Sequence, residues 1–490
     1  MKYIFPLAVV CLLILNACQD KAASEAVTQE ETWTKPRVPD WHKNANMYEV
    51  NLRHYTPEGT LQAFKAHLPR LKEMGVDILW FMPIYPISET KRKGGLGSPY
   101  AISDYKAINP DFGTMDDFKE VLAAIHELEM KAIIDWVPNH TGWDHHWITE
   151  HPDWYTKDKD GNNTDPLHPD TGESWGWTDV ADLDYSKTEM RKEMISDMKY
   201  WIEDIGIDGF RVDVAHNVPV DFWEECTDAL YEVKPVFMLA EAEVPELLNT
   251  GSFIVDYAWE MHHLMNEIAK TQGVNKQANK LEQGNVVDHV QDEAHRKNAL
   301  DIDAVLAKKD TVYSGGYHLY FTSNHDENAW AGTEMDRFGP GHLTFAVLAA
   351  TFDGMPLIYT GMESAFDKRM EFFEKDEVEW GDFVYADFYK RLFTLKHENQ
   401  ALWNGEHGGK LQKIETGQDE SVYAFVREKN GDRVVVILNL SSSPQSISLT
   451  GDHFAGAYNE IFSEENVELS SGSEMDLEPW EYLVFGSTKE

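Results

Sequence analysis

The chain has 490 residues, more than one hydrophobic core usually serves, and this length predicts two or three domains. Hydrophobic residues make up 42% and charged residues 26% of the chain, which indicates a globular protein and excludes a disordered one. The formal net charge of −42 argues against nucleic acid or an anionic lipid surface as a partner, because like charges repel. It is typical of a salt-adapted or very soluble surface, with a basic polymer partner as the alternative.

The N-terminal segment has the pattern of an export signal. Lys2 gives a positive start and residues 4–15 are almost wholly apolar, a run too short to span a membrane, so residues 1–17 are predicted to be a signal peptide. Ala17-Cys18 after this run resembles a bacterial lipobox and predicts lipidation of Cys18; an ordinary signal peptide with an incidental cysteine is the alternative. Residues 18–43 are polar and predict a flexible, lipid-anchored tether. These features predict an exported lipoprotein anchored to a membrane at an outer-membrane, periplasmic or cell-surface face.

Cysteine usage excludes an intrachain disulfide in the mature chain. Of three cysteines, Cys11 lies in the predicted signal peptide and Cys18 at the predicted lipid site, which leaves Cys226 alone. Cys226 lies within a predicted helix and is expected to be buried. Stability is therefore expected to come from the hydrophobic core, with a bound metal as a further source.

From residue 46 onward, apolar runs typical of strands alternate with amphipathic helical segments. One helix is predicted from the N-cap Thr60 to a stop at Gly75, and another begins after the N-cap Thr114. Eight strand–helix units predict an α/β fold, a parallel (β/α)8 TIM barrel over residues 44–404. The predicted strands cover residues 47–52, 78–82, 132–137, 210–212, 236–240, 253–255, 317–322 and 356–359.

Two segments depart from this alternation. Residues 141–182, after the third strand, are rich in Trp, Asp, His and Gly and too long for an ordinary loop, so they predict an inserted subdomain or an ordered functional loop. From residue 405 the pattern changes to short strands, predicted at 421–427, 432–439, 445–449 and 481–485, with Asn430-Gly431 as a hairpin turn. Residues 405–490 are therefore predicted to form a C-terminal antiparallel β-sandwich domain.

Polar side chains lie at the ends of four predicted barrel strands, where the active sites of such barrels are found. Because the strand ends meet on one rim, we expect these side chains to form one site. They are Asp135, Asn139 and His140 after the third strand, Arg211 and Asp213 on the fourth, Glu241 after the fifth, and Asn324, His325 and Asp326 after the seventh.

Paired carboxyl groups of this kind suit the cleavage of a glycosidic bond. Cleavage with retention needs a carboxylate nucleophile and a separate carboxylic acid that protonates the leaving oxygen, held in different environments. Arg211 lies two residues before Asp213, so both side chains point to one face of the strand. The arginine is expected to keep that carboxylate ionised.

These segments resemble the four conserved regions of the α-amylase family, glycoside hydrolase family 13. The resemblance rests on Asp-x-x-x-Asn-His at 135–140, Gly-Phe-Arg-x-Asp at 209–213 and Asn-His-Asp at 324–326, in this order and with Glu241 between the last two. Segments 97–105 and 181–185 also resemble the family, and the likeness extends from about residue 46 to residue 363.

The resemblance implies a role for each site residue. Asp213 would be the nucleophile, Glu241 the acid/base, with Glu243 as the less favoured acid, and Asp326 would bind the distorted sugar and stabilise the transition state. Three further residues, His140, Arg211 and His325, would support the cleaved ring, and Tyr100 would stack on it. Asp135 is expected to bond backbone groups rather than to take a direct part.

Calcium is the cofactor that the resemblance implies, and no organic cofactor is expected. Asn139 resembles a calcium-associated residue of the family, with a structural amide as the alternative. Many members carry Lys-His after the nucleophile, where this chain has His216-Asn217. The oxygen-rich run 158–162 is predicted to be a solvated turn, because its glycine is misplaced for an EF-hand loop. No metal ligands are assigned.

Three functions fit the sequence. The first is a retaining hydrolase that cleaves α-1,4-glucosidic bonds of starch, glycogen or maltooligosaccharides by double displacement. The second is an α-glucan transglycosylase of the same family, and the third is a non-catalytic glycan-binding protein on the same fold. The presence of all three carboxylates favours an enzyme, and at least one of the five tryptophans between residues 143 and 177 is expected to be a sugar platform.

Overall fold

Eight parallel strands close into a barrel in the computed structural model of the chain, which describes residues 37–168, 171–275 and 296–488. The predicted signal peptide, Cys18 and most of the predicted tether lie outside the described residues. The described strands up to residue 359 are β1 (Met47–Val50), β2 (Ile78–Phe81), β3 (Lys131–Trp136), β4 (His140–Gly142), β5 (Val180–Asp182), β6 (Gly209–Val212), β7 (Phe237–Ala240), β8 (Val255–Tyr257), β9 (Tyr317–Tyr320) and β10 (Met355–Tyr359). The barrel order is β1-β2-β3-β6-β7-β8-β9-β10, with β10 paired to β1, so the predicted TIM barrel is confirmed.

Alternate residues of the strands fill the barrel interior. Met47, Ile78 and Ile133 belong to an apolar cluster inside the barrel, whereas their neighbours Tyr48 and Leu79 belong to a second cluster that packs against the helices. This alternation follows from the two-residue period of a strand. Near the C-terminal ends of the strands, polar side chains take the inward positions, and these positions carry the candidate site.

The helices of the described residues pack around the barrel, except α5 in the inserted segment, and one predicted helix differs from the structure. They are α1 (Leu52–Tyr55), α2 (Leu61–Lys65), α3 (Leu68–Met74), α4 (Met115–Glu127), α5 (Trp147–Glu150), α6 (Thr188–Tyr200), α7 (Val220–Tyr231), α8 (Pro245–Asn249), α9 (Trp259–Thr271), α10 (Asp301–Val312), α11 (Glu334–Phe338), α12 (His342–Thr351) and α13 (Ala386–Glu398). Thr60 and Thr114 cap α2 and α4 as predicted. The single helix predicted between Thr60 and Gly75 is divided into α2 and α3, because Pro69 has no N–H to continue the first segment.

The sixth barrel strand begins two residues later than predicted. The apolar run 253–255 suggested the strand, but the Phe253 N–H donates to the Leu247 carbonyl and so belongs to the preceding turn. Strand β8 instead includes Asp256, whose buried carboxylate pairs with His318 of β9. A carboxylate with a partner on the next strand can occupy a buried strand, and local hydrophobicity does not indicate that partner.

The inserted segment is closed at its base by β4 and β5, which pair antiparallel from His140 opposite Asp182 to Gly142 opposite Val180. Trp147 and Trp154 pack edge to face at 5.1 Å and are almost completely buried. Both tryptophans belong to the apolar cluster that packs between the barrel and its helices, so the inserted segment shares that core.

The C-terminal part forms antiparallel sheets, as predicted. Its strands are β11 (Leu411–Ile414), β12 (Val422–Lys429), β13 (Asp432–Asn439), β14 (Gln445–Ser448), β15 (Gly456–Glu460), β16 (Asn466–Leu469), β17 (Glu474–Leu477) and β18 (Tyr482–Ser487). Six form one sheet in the order β11-β12-β13-β18-β15-β16, and β14 pairs with β17. Four of these strands were not predicted, because strands such as β16 and β17 bury only one residue fully and lack an apolar run.

The C-terminal sheet is tied to the barrel by buried polar contacts. Arg427 of β12 is fully buried and donates to the carbonyls of Thr351 and Phe352, at the end of α12.

The buried Cys226 contacts Met198 Sδ, which confirms its predicted burial. Within the described ranges, no helix combines the length and apolar character needed to cross a membrane.

Candidate active site

The C-terminal ends of the barrel strands surround a cavity of about 380 Å³. Six of the seven predicted cavity residues line it: Tyr100, His140, Asp213, Glu241, His325 and Asp326. Arg211, the seventh, is fully buried and does not line the cavity. The structure thus brings together around one space residues that are as much as 226 positions apart in the sequence, as strand ends on one rim require.

Arg211 holds three carboxyl groups together beneath the cavity. Its Nη1 donates to both carboxylate oxygens of Asp135, at 2.9 and 3.1 Å, and to Asp213 Oδ1 at 3.2 Å. Its Nη2 lies 2.9 Å from Glu241 Oε1, and its Nε donates to the Tyr257 hydroxyl at 3.1 Å. The expected contact of Arg211 with Asp213 is present. Arg211 therefore acts on the carboxyl groups and does not face the cavity directly.

Asp135 does not bond backbone groups, so that expectation was wrong. Its carboxylate accepts hydrogen bonds from three side chains, namely Arg211, the Trp80 indole N–H at 3.2 Å and the Tyr100 hydroxyl at 3.1 Å. The register of β3 against β6 places Asp135 beside Arg211, a pairing that local sequence does not indicate. Burial raises the pKa of Asp135 to about 6, although Arg211 opposes the shift.

A sharp turn after Asp213 brings a backbone donor to Glu241. Val214 has a left-handed conformation with a φ of 37°, which is strained for a β-branched residue and costs on the order of 1–3 kcal/mol. In this conformation its N–H donates to Glu241 Oε2 at 2.8 Å. Sequence reasoning missed Val214, since valine normally indicates extended backbone. The alternative acid, Glu243, accepts from the Glu260 N–H at 2.7 Å and does not line the cavity, which favours Glu241.

The pKa shifts of the two carboxyl groups differ in direction from the expectation. Burial and the nearby Glu241 raise the pKa of Asp213 well above its usual value, and Arg211 offsets this only in part. Burial acts on Glu241 as well, but Arg211 and the Val214 N–H outweigh it and lower the pKa of Glu241. These directions favour one shared proton on the pair, which is the number that retaining cleavage needs. Both shifts in pKa are opposite in direction to those expected for an ionised nucleophile and a protonated acid.

His325 is buried between an acid and a phenol. Its Nδ1 lies 2.6 Å from Glu49 Oε1, and its Nε2 lies 2.8 Å from the Tyr100 hydroxyl and 3.4 Å from Asp326 Oδ2. The ring of Tyr100 stacks on the imidazole with the centroids 5.4 Å apart. Sequence reasoning missed Glu49, because no local pattern connects it with a histidine 276 positions away.

His140 lies in the cavity wall as a neutral imidazole. Burial lowers the pKa of His140 to about 4, so the ring is uncharged at neutral pH. Its Nδ1 lies 3.2 Å from the amide nitrogen of Asn139, and the ring meets that of Trp177 edge to face at 5.9 Å. A neutral imidazole in this position can form hydrogen bonds with a sugar hydroxyl.

Calcium is the cofactor that the family resemblance implied, without assigned ligands. Throughout the described part of the chain, no group of three or more His, Cys, Asp or Glu side chains could hold a metal ion. Asp158 accepts from the N–H groups of Asp160 and Asn162 in an exposed turn, as predicted. Calcium binding stays a prediction.

The wall of the cavity carries aromatic side chains and an ion pair. Trp177 comes from the inserted segment, and Trp330, which is 48% exposed, lies on the π-helical turn Glu327–Ala331. Lys93 and Asp179 form a 2.9 Å ion pair that joins the loop after β2 to the inserted segment. Trp177 is the candidate for the expected sugar platform. Trp330 was missed, since a lone tryptophan in a helical run usually indicates packing.

Both parts of the chain match known protein families. Residues 29–391 match the family described as alpha amylase, catalytic domain, and residues 412–484 match the maltogenic amylase C-terminal domain. Alpha-amylase 3 of Dictyoglomus thermophilum is 24% identical over 461 residues, which cover 82% of this chain and 85% of that protein. An alpha-1,4-glucan:maltose-1-phosphate maltosyltransferase of Picrophilus torridus is 26% identical over 437 residues, which cover 82% of this chain but only 62% of that protein.

A solved structure agrees in fold over nearly the whole chain. The noncanonic maltogenic alpha-amylase AmyB from Thermotoga neapolitana superposes with a TM-score of 0.76 at 25% identity, covering 91% of this chain and 99% of that one. The catalytic-domain match covers more than half of the chain, and its relatives are glycosidases and transglycosylases. The protein is therefore a glycoside hydrolase that belongs to the α-amylase family.

Proposed function

We propose that the protein hydrolyses α-1,4-glucosidic bonds of starch, glycogen or maltooligosaccharides with retention of the anomeric configuration. The observation that carries this proposal is the convergence of Asp213, Glu241 and Asp326 on one cavity, above the buried Arg211. The relatives named alpha-amylase and the maltogenic type of the C-terminal domain support an α-glucan as the substrate.

Two displacements at the anomeric carbon follow from this arrangement. Asp213 attacks that carbon while Glu241 gives its proton to the glycosidic oxygen, so that the C–O bond breaks and a glycosyl ester forms on Asp213. Glu241, now ionised, takes a proton from water, whose oxygen attacks the same carbon and frees Asp213. Asp326 stabilises the positive charge that develops on the sugar. The proton that the pair shares has to lie on Glu241, with Asp213 ionised, when the glycosidic bond breaks.

Soluble starch and maltooligosaccharides are expected to be hydrolysed, whereas cellulose and xylan are expected to resist. The α-linked chain places its glycosidic oxygen within reach of Glu241 when the sugar lies over Asp213, and a β-linked chain presents the opposite face. Release of reducing ends from each polymer measures the difference. Activity confined to a β-linked glycan would contradict the proposed substrate.

Transfer to a second sugar is the alternative fate of the same glycosyl-enzyme. The similarity to a maltosyltransferase over 82% of the chain favours keeping this alternative, because water and sugar compete for one intermediate. Chromatography of products from maltoheptaose with added labelled maltose separates the two outcomes, since only transfer carries the label into longer oligosaccharides. A purely glycan-binding role is disfavoured, because all three carboxylates line the cavity.

We also propose that the mature protein is anchored to a membrane through a lipid on Cys18. The apolar run that ends at Ala17-Cys18 supports this proposal. A fatty-acid analogue fed to the expressing bacterium is expected to label the wild type and not the Cys18→Ala variant. Equal labelling of both proteins would show that the lipid is absent from Cys18.

A further inference from the structure

Glu49 is a buried carboxylate that the reaction scheme above does not use. It lies on β1, where Met47 and Glu49 point into the barrel and Tyr48 points outward to Glu363. Its side chain is fully buried, and its Oε2 has no hydrogen-bond partner among the described residues. Burial of a carboxylate costs free energy unless a partner offsets it, so the partner of Oε1 has to explain this residue.

That partner is His325, which is placed at the centre of a chain of hydrogen bonds. Glu49 Oε1 lies 2.6 Å from Nδ1, and the Tyr100 hydroxyl lies 2.8 Å from Nε2. The Tyr100 hydroxyl in turn lies 3.1 Å from Asp135 Oδ2, on the same carboxylate that binds Arg211. The chain therefore joins Glu49, at the far wall of the barrel, to the arginine beneath the nucleophile and the acid.

We propose that Glu49 is a positioning residue that acts through His325 and keeps its imidazole doubly protonated, with Nε2–H directed at the Tyr100 hydroxyl and Asp326. Glu49 does not line the cavity, so it acts on the reaction only through this ring. The imidazolium supplies a second positive charge, beside that of Arg211, against the buried carboxylates. This inference rests on the proposed function, because its effect on rate requires that the site cleave glycosidic bonds.

The electrostatics support a charged ring. Burial works against the charge, but the carboxylates of Asp326 and Glu49 raise the pKa of His325 to about 9, against the opposing effect of Arg211. The remaining ionisable groups that face or interact with the ring are Tyr100, Asp135 and Glu241. A raised histidine pKa means that the cation is present below about pH 9 and is lost as the pH rises through that value.

Glu49→Gln separates charge from shape. Glutamine has the same outline, and its amide can still bond Nδ1, but it cannot stabilise an imidazolium. The alkaline limb of the pH profile of kcat/KM also depends on the proton shared by Asp213 and Glu241. Its midpoint is nevertheless expected to lie at a lower pH in Glu49→Gln than in the wild type, because the pKa of His325 moves from about 9 toward the ordinary histidine value of about 6.5. At pH 7.5 kcat is expected to fall about tenfold with little change in KM, because Glu49 does not touch the substrate.

Asp256→Asn is the matched control. Asp256 is as deeply buried as Glu49 and also pairs with a histidine, His318, across neighbouring barrel strands. It lies between the inward-facing Val255 and Tyr257, so its side chain points away from the cavity. The control variant is expected to lose stability but to keep the alkaline limb of the wild type. If the alkaline limb shifted equally in Glu49→Gln and Asp256→Asn, the cause would be a general loss of packing, and the inference would be overturned.

A measurement on the ring itself tests the inference without turnover. The protein is labelled with 15N in its histidine rings, and the signal of His325 is assigned by its absence from a His325→Gln variant. At pH 8 the His325 ring is expected to be doubly protonated in the wild type and neutral in Glu49→Gln. A wild-type ring that titrates near pH 6.5, or an unchanged titration in Glu49→Gln, would overturn the inference. Failure of the wild type to cleave α-glucans would instead reject the proposed function, and the ring titration would still decide the role of Glu49.

Discussion

The Asp213→Asn variant is expected to lose turnover of maltoheptaose by on the order of 10⁴-fold or more, because an amide cannot form the glycosyl ester. Its fold is expected to remain intact. Burial and the charge of Glu241 raise the pKa of Asp213, so ionisation of this group destabilises the folded state as the pH rises above the ordinary aspartate value. Asparagine removes that cost, and the melting temperature at pH 7 should be equal to or higher than that of the wild type. Steady-state kinetics and thermal unfolding measure the two effects.

Glu243→Gln is the control for this variant. Glu243 is partly buried near the same rim and carries the same charge, but it bonds the Glu260 N–H and does not line the cavity. Its substitution is expected to leave turnover near the wild-type rate. Wild-type turnover by Asp213→Asn would exclude Asp213 as the nucleophile. If the melting temperature of Asp213→Asn were several degrees below that of the wild type, the electrostatic explanation of the raised pKa of Asp213 would be contradicted.

The Glu241→Gln variant is expected to cleave maltooligosaccharides about 10²–10⁴-fold more slowly than the wild type, because the departing sugar oxygen no longer receives a proton. Aryl α-glucosides with a nitrophenol leaving group should lose far less in the first step, since a phenolate departs without protonation. The second step still lacks its base. Azide, which attacks without losing a proton, is therefore expected to restore turnover of the aryl substrate.

The comparison of the two substrate classes isolates the role of Glu241. Both are cleaved in the same cavity, so a variant that merely disturbed the cavity would slow both equally. An equal loss on both substrates, together with no effect of azide, would mean that Glu241 is not the acid/base. The hydrogen bond from the Val214 N–H can be kept in Glu241→Gln, because the glutamine side-chain oxygen can accept it.

The sequence was sufficient for the barrel and for most of its rim. The eight strands could be predicted because their apolar runs alternate with capped helices. The polar residues at the strand ends could be predicted because they belong to short sequence motifs. The parallel arrangement then brings Asp213, Glu241 and Asp326 to one edge without any knowledge of side-chain packing. The C-terminal strands β12 and β13 were equally accessible, since Asn430-Gly431 supplies the left-handed turn that joins them.

The rest depends on contacts between distant segments. Glu49 and His325 are 276 positions apart, and Asp135 and Arg211 are 76 apart, so neither pair leaves a local signal. Val214 takes a conformation that its own side chain disfavours, because the chain has to turn toward Glu241. The directions of the pKa shifts of Asp213 and Glu241 also could not be predicted, because they depend on the contacts that Arg211 makes with three carboxylates.

A fluorinated glucosyl reagent shows which residue is the nucleophile, because it lets the first displacement proceed and slows the second. Wild-type protein treated with 5-fluoro-α-D-glucosyl fluoride is digested, and its peptides are sequenced by mass spectrometry. We expect one added fluoroglucosyl group, on Asp213, and no label in Asp213→Asn. A label on any other residue, or none while the substrate is turned over with inversion to the β-anomer, would contradict a retaining mechanism with Asp213 as its nucleophile.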